Sequence, residues 1–282
     1  MNSHIVDLDF VRSLLVPRNL DAHKGQFGHG LLIAGSEGMI GAAVLAARGC
    51  LRSGIGKLTV HAPQCGIEIL QIAVPEAMVD KDDSFYSVTT LQRNMSDFSA
   101  VAIGPGMGRS ESTQQFMRNF LSNSTCSLVI DADGLNFLSE NLAVLEFLPH
   151  GTILTPHLGE FERLVGSWET AEERDVKQQT LSDRYGLVVI LKGPNSRITI
   201  PGKASYRNTT GNPGMAKGGS GDVLTGIVLG FLAQGYQPEI AAVLATYIHG
   251  RAGDLAALKY SVQGMLPSDL INEIPTVFLE IQ

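Results

Sequence analysis

Leu31-Leu32-Ile33-Ala34-Gly35-Ser36-Glu37-Gly38 sets the reading of the whole chain. Four consecutive apolar residues are too few for a helix and read as a buried strand, and the glycine-bearing turn behind them ends it. Ala42 to Leu51 then reads as an alanine-rich helix closed by Gly54, and Lys57 to Ala62 as the next strand. The rhythm returns downstream. Ala100–Ile103 is a strand broken by Gly104-Pro105-Gly106-Met107-Gly108, with a helical stretch from Glu111. Leu128–Ile130 ends in Asp131-Ala132-Asp133-Gly134, and Thr152–Leu154 ends in Thr155-Pro156-His157. A polar helix covers Thr170 to Tyr185, Leu187–Leu191 is a strand, and Ile198–Ile200 with Ala204–Tyr206 reads as a hairpin around Pro201-Gly202. Asp222–Gln234 and Pro238–Leu258 read as helices, and at the other end Ile5, Leu8, Val11, Leu14 and Leu15 give residues 5–16 a helical spacing stopped by Pro17. Strand, turn and helix in alternation predict an α/β fold, a mostly parallel sheet with helices on both faces, as one domain over residues 1–282. Ligands of such sheets bind beyond the carboxyl ends of the strands, where nearly all the polar and glycine-rich turns of this chain fall.

Composition narrows the function. A 44% hydrophobic, 17% charged chain is no disordered protein, and a net charge of −7 argues against a general nucleic-acid binder. No stretch is long and apolar enough to span a bilayer, and Met1–Phe10 carries acids where a signal peptide carries bases, so a soluble cytoplasmic protein is expected. Cys50, Cys65 and Cys126 are scattered and odd in number, which fits reduced thiols rather than a disulfide framework or a zinc site.

The chemistry concentrates in Asn208-Thr-Thr-Gly-Asn-Pro-Gly-Met-Ala-Lys217-Gly218-Gly219-Ser220-Gly221-Asp222. A polar glycine loop runs directly into an apolar helix. Glycines let successive N–H groups converge, the helix start adds partial positive charge, and Lys217 adds a full one, which together make an anion hole for phosphate. Asp222 has two readings there: a first-turn acid favoured by the helix dipole, or a general base facing a phosphate acceptor. The glycine loop beside it favours the base. Lys192-Gly193-Pro194-Asn195-Ser196 follows a strand and reads either as a turn or as part of the same ligand site. Ala42, Ala43 and Gly106 are small residues suited to helix–sheet packing or to close approach of a ligand. His23 and Lys24 belong to a solvated loop or reach substrate phosphates. Asp131 and Asp133 serve a metal or water, or cap the next helix. His4, His61, His150 and His249 form no pattern, and Trp168 reads as a packing residue.

The glycine-glycine-x-glycine-aspartate stretch ending at Asp222 resembles the ribokinase-like superfamily, which implies a three-layer sandwich. A narrower resemblance covers roughly residues 20 to 260. His23-Lys24-Gly25-Gln26-Phe27-Gly28, Ala34-Gly35-Ser36, Gly41-Ala42-Ala43, Ile103 to Gly108, Asp131 to Asn136, Thr155 to Phe161, Leu191-Lys192-Gly193 and Gly211 through Asp222 occur in order, and together they look like the nucleotide-dependent NAD(P)H-hydrate dehydratases. The resemblance implies repair of NADHX or NADPHX to NADH or NADPH, with ADP (or ATP) as phosphoryl donor, phosphate and AMP as products of the ADP reaction, and Mg²⁺ as companion ion. Lys217 before the glycine loop looks like the ADP users. It implies Asp222 as base, substrate contacts at Ala42, Ala43, Gly106, His157 and Asp222, and nucleotide contacts at Lys192 to Ser196 and Lys217 to Gly221. On residue grounds alone His157 caps a helix or sits in the core, and Glu160 acts on metal-bound water or favours a first helical turn. Some family members are fused to an epimerase; this chain is expected to work with a separate one and to form a homo-oligomer. The same Asp222 and anion hole would serve a superfamily kinase of a vitamin alcohol, of the hydroxymethylpyrimidine or hydroxyethylthiazole type. A nucleotide-binding regulator without turnover is the third reading.

Overall fold

The computed structural model describes residues 3–19 and 21–282. Ten strands form one sheet: β1 (Ser3–Val6), β2 (His29–Ile33), β3 (Lys57–Ala62), β4 (Met78–Lys81), β5 (Ala100–Ile103), β6 (Ser127–Ile130), β7 (Ile153–Leu154), β8 (Val188–Leu191), β9 (Arg197–Thr199) and β10 (Ser205–Asn208). Their order is β1-β10-β9-β8-β7-β6-β5-β2-β3-β4, and every pairing is parallel except those of β9, which runs antiparallel to both neighbours.

Side-chain alternation along the strands supplies two cores. From β2, Leu32 points to one face and Leu31 and Ile33 to the other. The first face packs α1 (Leu8–Leu14), α2 (Ile40–Arg52), α3 (Ile67–Ala73), α8 (Ser220–Ala233), α9 (Pro238–Gly264) and α10 (Pro267–Ile281). The second packs α4 (Glu111–Asn123), α5 (Asp133–Glu140), α6 (Leu158–Val165) and α7 (Ala171–Tyr185). The result is the three-layer sandwich. Helix α8 lies centrally, and all of its residues from Val223 to Ala233 are buried, which is why that stretch of sequence is apolar all round. Trp168 packs against Phe161, as a packing residue should. Among the described residues, no helix is long and apolar enough to cross a membrane.

Two corrections concern the chain's ends. The helical spacing of residues 5–16 is only half helix. Asp7 caps α1 by accepting from the Phe10 amide at 2.8 Å, and the residues before it pair in parallel with β10 as β1. The C-terminal helical region also continues past Leu258, through a non-helical Ser261, and turns at Met265-Leu266 into α10.

Candidate active site

A cavity of about 720 Å³ opens beyond the carboxyl ends of β6, β7, β8 and β10, against the start of α8. Its wall brings together His157, Lys192 to Ser196, Lys217, Gly219, Ser220, Gly221 and Asp222, residues far apart in the sequence. Asp131, Ala132, Asn208, Thr246 and His249 are among the other residues that line it.

The anion hole is built as the glycines require. Gly219, at φ +99, occupies the left-handed region as N-cap of α8, and a Cβ there would lie 2.5 Å from Leu45. No side chain caps this helix; Ser220 N donates to the Lys217 carbonyl at 3.3 Å, which leaves the Gly221 and Asp222 amides for a ligand. Gly221 keeps the approach narrow: a Cβ would sit 3.1 Å from the Lys192 ammonium, which therefore stands at the helix start. Gly218 is exposed and lies off the cavity wall.

Lys192 is the cation of the site. Its Nζ donates to Asp131 Oδ1 at 2.8 Å and stands 3.9 Å from Glu160 Oε2. Burial works to lower its pKa, but the Asp131 and Glu160 charges outweigh that and raise it. Buried Asp131 also accepts from Thr225 Oγ1 at 2.6 Å; burial pushes its carboxyl up, and Lys192 together with the Thr225 and Thr155 hydroxyls more than cancels the push, leaving it below the usual range. The strand-to-helix turn holding Asp131 passes through Ala132 at φ +48, a strained backbone for a residue with a Cβ. Lys217 requires a correction: its Nζ donates to the carbonyls of Gln263 and Met265, both at 2.6 Å, so its charge fastens the α9–α10 junction instead of filling the anion hole.

Asp222 is half-buried at the third position of α8. Desolvation first, then the Asp131 charge, pushes its pKa up to about 7 against the opposing pull of Lys192, with Asp133 and Glu160 adding to the rise. A carboxylate near 7 is poised to take a proton at neutral pH. Asp133 is fixed by accepting from the Gly108 amide at 2.8 Å, which ties the turn after β6 to the turn after β5.

His157 does cap a helix. Its Nδ1 accepts from the Gly159 and Glu160 amides at 3.0 and 3.3 Å, while Glu160 Oε2 accepts from the His157 amide at 2.8 Å. The ring still lies on the cavity wall with its side chain 56% exposed, its Nε2 3.5 Å from Glu160 Oε1. Ala42 and Gly106 meet outside this cavity, at the carboxyl ends of β2 and β5: a Cβ on Gly106, at φ +60, would be 2.9 Å from the Ala42 Cβ. Ala43 is wholly buried in the core, backbone included, so the structure gives it to helix–sheet packing and not to ligand contact. His23 caps a short turn by accepting from Gly25 N at 3.2 Å, and like Lys24 it is not on the cavity wall.

Two site residues escaped the sequence reading. Thr225 lies three residues after Asp222 on the same helix face, a spacing visible once α8 is recognised. His249 gave no such signal. From α9 its Nε2 donates to the Ser220 carbonyl at 2.8 Å, and burial lowers its pKa to about 4, which keeps the ring neutral. No cluster of three His, Cys, Asp or Glu among the described residues could hold a metal by itself. The carboxylates of Asp131, Asp222 and Glu160 around Lys192 instead suit a cation that arrives already coordinated by phosphates.

Against this geometry the comparisons are specific. The ADP-dependent (S)-NAD(P)H-hydrate dehydratase of Bacillus subtilis is 34% identical, over 96% of this chain and 96% of its own length. A crystal structure of the ADP/ATP-dependent dehydratase from that organism, co-crystallised with ATP/Mg²⁺, superposes with a TM-score of 0.87 at 32% identity, covering both chains fully. A bifunctional NAD(P)H-hydrate repair enzyme of Moorella thermoacetica is 35% identical over all of this chain, which spans 55% of that protein; the chain covers about half the length of such bifunctional relatives. A hydroxyethylthiazole kinase from Pyrococcus horikoshii, at 15% identity and a TM-score of 0.64, shares the fold alone. The model of the NAD(P)H-hydrate dehydratases matches residues 30–276, a span that takes in the anion hole, Lys192 and Asp222, and the chain belongs to that family.

Proposed function

We propose that this chain acts as one ribokinase-like domain, an ADP-dependent (S)-NAD(P)H-hydrate dehydratase that returns NADHX and NADPHX to NADH and NADPH with release of AMP and phosphate. The observation that carries the reading is Asp222, tuned to about 7 on the wall of the cavity at the uncapped start of α8. Hydroxide leaves a ring carbon poorly; phosphate leaves well. Asp222 takes the proton of the hydrate hydroxyl as its oxygen bonds to the transferring phosphorus. Amides of Gly219 and Gly221 with the Lys192 ammonium stabilise the phosphoryl charge. The ring nitrogen lone pair then expels phosphate, and loss of a proton from the adjacent carbon restores the dihydropyridine. His249, by holding the Ser220 carbonyl, keeps the anion hole in register. Asp131 and Glu160 would hold a Mg²⁺ ion carried by the nucleotide, and the ion would neutralise phosphate charge. The cavity holds the nucleotide, with His157 and Asp222 on its wall turned to the hydrate, and Ala42 and Gly106 are the rest of the hydrate side.

The wider setting is proposed as well: cytoplasmic action alongside an epimerase, and a homo-oligomer. The alanine-rich face of α2 is buried and offers no interface. Ile72 and Met78, 82% and 48% exposed along the α3–β4 edge, are the apolar surface that favours self-association.

Incubation with NADHX or NADPHX, ADP or ATP, and Mg²⁺ is expected to restore dihydronicotinamide absorbance with one phosphate released per turnover. A stable phosphoester would point instead to the vitamin-alcohol kinase. Asp222→Asn should fold, bind ADP and lose about 10²–10⁴-fold in turnover. Near-normal repair by that variant would remove the mechanism.

A further inference from the structure

The segment after β4 carries two aromatic residues that the reaction above leaves without a role. Asp82, buried, accepts from the amides of Ser84, Thr89 and Thr90 at 2.7, 2.8 and 2.8 Å and from Thr89 Oγ1 at 2.7 Å. On its other side the buried His61 ring bridges Asp82, at 3.2 Å, and Asp80, at 2.8 Å, while Arg93 closes on Asp80. The main chain is pinned along the same segment. Gln64 N donates to Ser84 O at 3.1 Å, Cys65 N to Phe85 O at 3.1 Å and Glu37 N to Tyr86 O at 2.8 Å. Yet this tightly held frame keeps Phe85 and Tyr86 52% and 59% exposed, edge to face with ring centroids 5.1 Å apart. Two large rings held out of the core on a fixed backbone form a preformed surface for another ring.

Their position says which ring. Glu37, bonded to Tyr86, follows Ser36, whose hydroxyl donates to the Gly106 carbonyl at 2.8 Å, and Gly106 packs on Ala42. Between them Gly38 and Gly41 leave open ground, where a Cβ would meet nothing within 4 Å. Open ground therefore lies on the segment that joins Ala42 and Gly106 to the aromatic pair. A dinucleotide carries two rings joined by a diphosphate. With its hydrated ring at Asp222, the other base extends away from the reacting atoms.

We infer that Phe85 and Tyr86 are the stacking platform for the adenine base of the dinucleotide substrate, acting as specificity residues remote from the chemistry. The inference rests on the proposed dehydratase reading for the identity of its ligand. Stacking on the pair discriminates full dinucleotides from mononucleotide hydrates without touching the hydroxyl that is phosphorylated.

The test compares wild type, the Phe85→Ala/Tyr86→Ala double variant and Tyr86→Phe. Each is assayed with NADHX and with the hydrate of reduced nicotinamide mononucleotide, which lacks the adenylate, and NADH binding is measured by calorimetry. The double variant should raise KM for NADHX and Kd for NADH about ten-fold or more, the scale of a lost base–aromatic stack, with kcat and the KM for ADP unchanged. It should match wild type on the mononucleotide hydrate, and Tyr86→Phe should restore NADHX affinity. An unchanged KM for NADHX, or an equal rise for both hydrates, overturns the platform. So does a variant that elutes as a smaller species and regains affinity on concentration, since the rings would then be a subunit contact. Failure of the dehydratase reading is distinguishable: wild type would repair neither hydrate, and the NADH affinities would still decide the platform, a ten-fold loss keeping it and equal values removing it.

Discussion

Asp222 works because its surroundings disagree about its charge. Burial and the neighbouring Asp131 hold the proton on, Lys192 draws it off, and the balance falls at about 7. Turnover under saturating substrates should therefore rise with pH up to about 7 and then level, because only the ionised carboxylate accepts the hydroxyl proton. The same shift has a stability sign. The folded chain keeps a proton that the unfolded chain releases at an ordinary carboxylate pKa, so Asp222 costs stability progressively as pH rises toward 7, and the full cost persists above it. Asp222→Asn abolishes that loss. Its melting temperature should exceed that of wild type at pH 8, with the gap narrowing at pH 5.5; a gap that is constant with pH would mean an Asp222 pKa far below 7. Thr225 sets a second residue-scale expectation. Thr225→Val keeps the shape but removes the 2.6 Å donor from a buried carboxylate. Urea unfolding should show a loss of about 1.5–3 kcal/mol with an unchanged slope.

What places Asp222 is the contact between α2 and α8. A Cβ on Gly226 would overlap the Ala46 carbonyl, one on Gly230 the Ser53 hydroxyl, and one on Gly49 would lie 2.7 Å from the Val223 carbonyl. The two helices touch backbone to backbone, which fixes the start of α8 over the sheet. Gly226→Ala should separate them, at about 1–3 kcal/mol of stability measured by denaturant titration, and should weaken ADP binding although it lies outside the cavity. Normal ADP affinity in a destabilised Gly226→Ala would show that the anion hole does not depend on this contact. The elements that were easy to read are the ones that are buried on all sides: β2, β5 and β6 announce themselves as apolar runs, and α8 as an apolar helix after a glycine loop. The elements that escaped are marginal in pattern. β4 is Met-Val-Asp-Lys on the sheet edge, β1 is four residues that share an apolar spacing with α1, and α3 is seven residues long. Gly226 and Gly230, four apart, were the available sign of close helix packing. The anion hole and Asp222 were legible because glycine and aspartate chemistry is local. The Lys217 staple and the His249 bond were not, because each depends on where a distant segment comes to rest.

Over the whole molecule the two proposed ligands draw on different halves of the chain, with His157 and Asp222 shared between them. The cavity wall is supplied from Asp131 onward, by β6 to β10, α8 and α9, whereas Ala42, Gly106 and the Phe85–Tyr86 pair come from the half before it. Start of α8 is the seam, since Asp222 feels charges on the cavity side, Asp131 and Lys192, and also Asp133, which binds the Gly108 turn. On this assignment each ligand should stabilise the fold by mass action, about 2.7 kcal/mol at a hundred times its Kd, and should do so through a different set of amides. Hydrogen exchange of the native protein separates them. ADP with Mg²⁺ should protect residues 192–196 and 217–222, where first-turn amides close on phosphate. NADH alone should protect residues 36–42, 84–86 and 104–108, and the two together should protect both sets. In Asp222→Asn the ADP pattern should persist, because the amides and not the carboxylate hold the phosphates. Protection of residues 36–42 by ADP alone, with 217–222 exchanging freely, would reverse the proposed halves and place the nucleotide on the side here given to the hydrate.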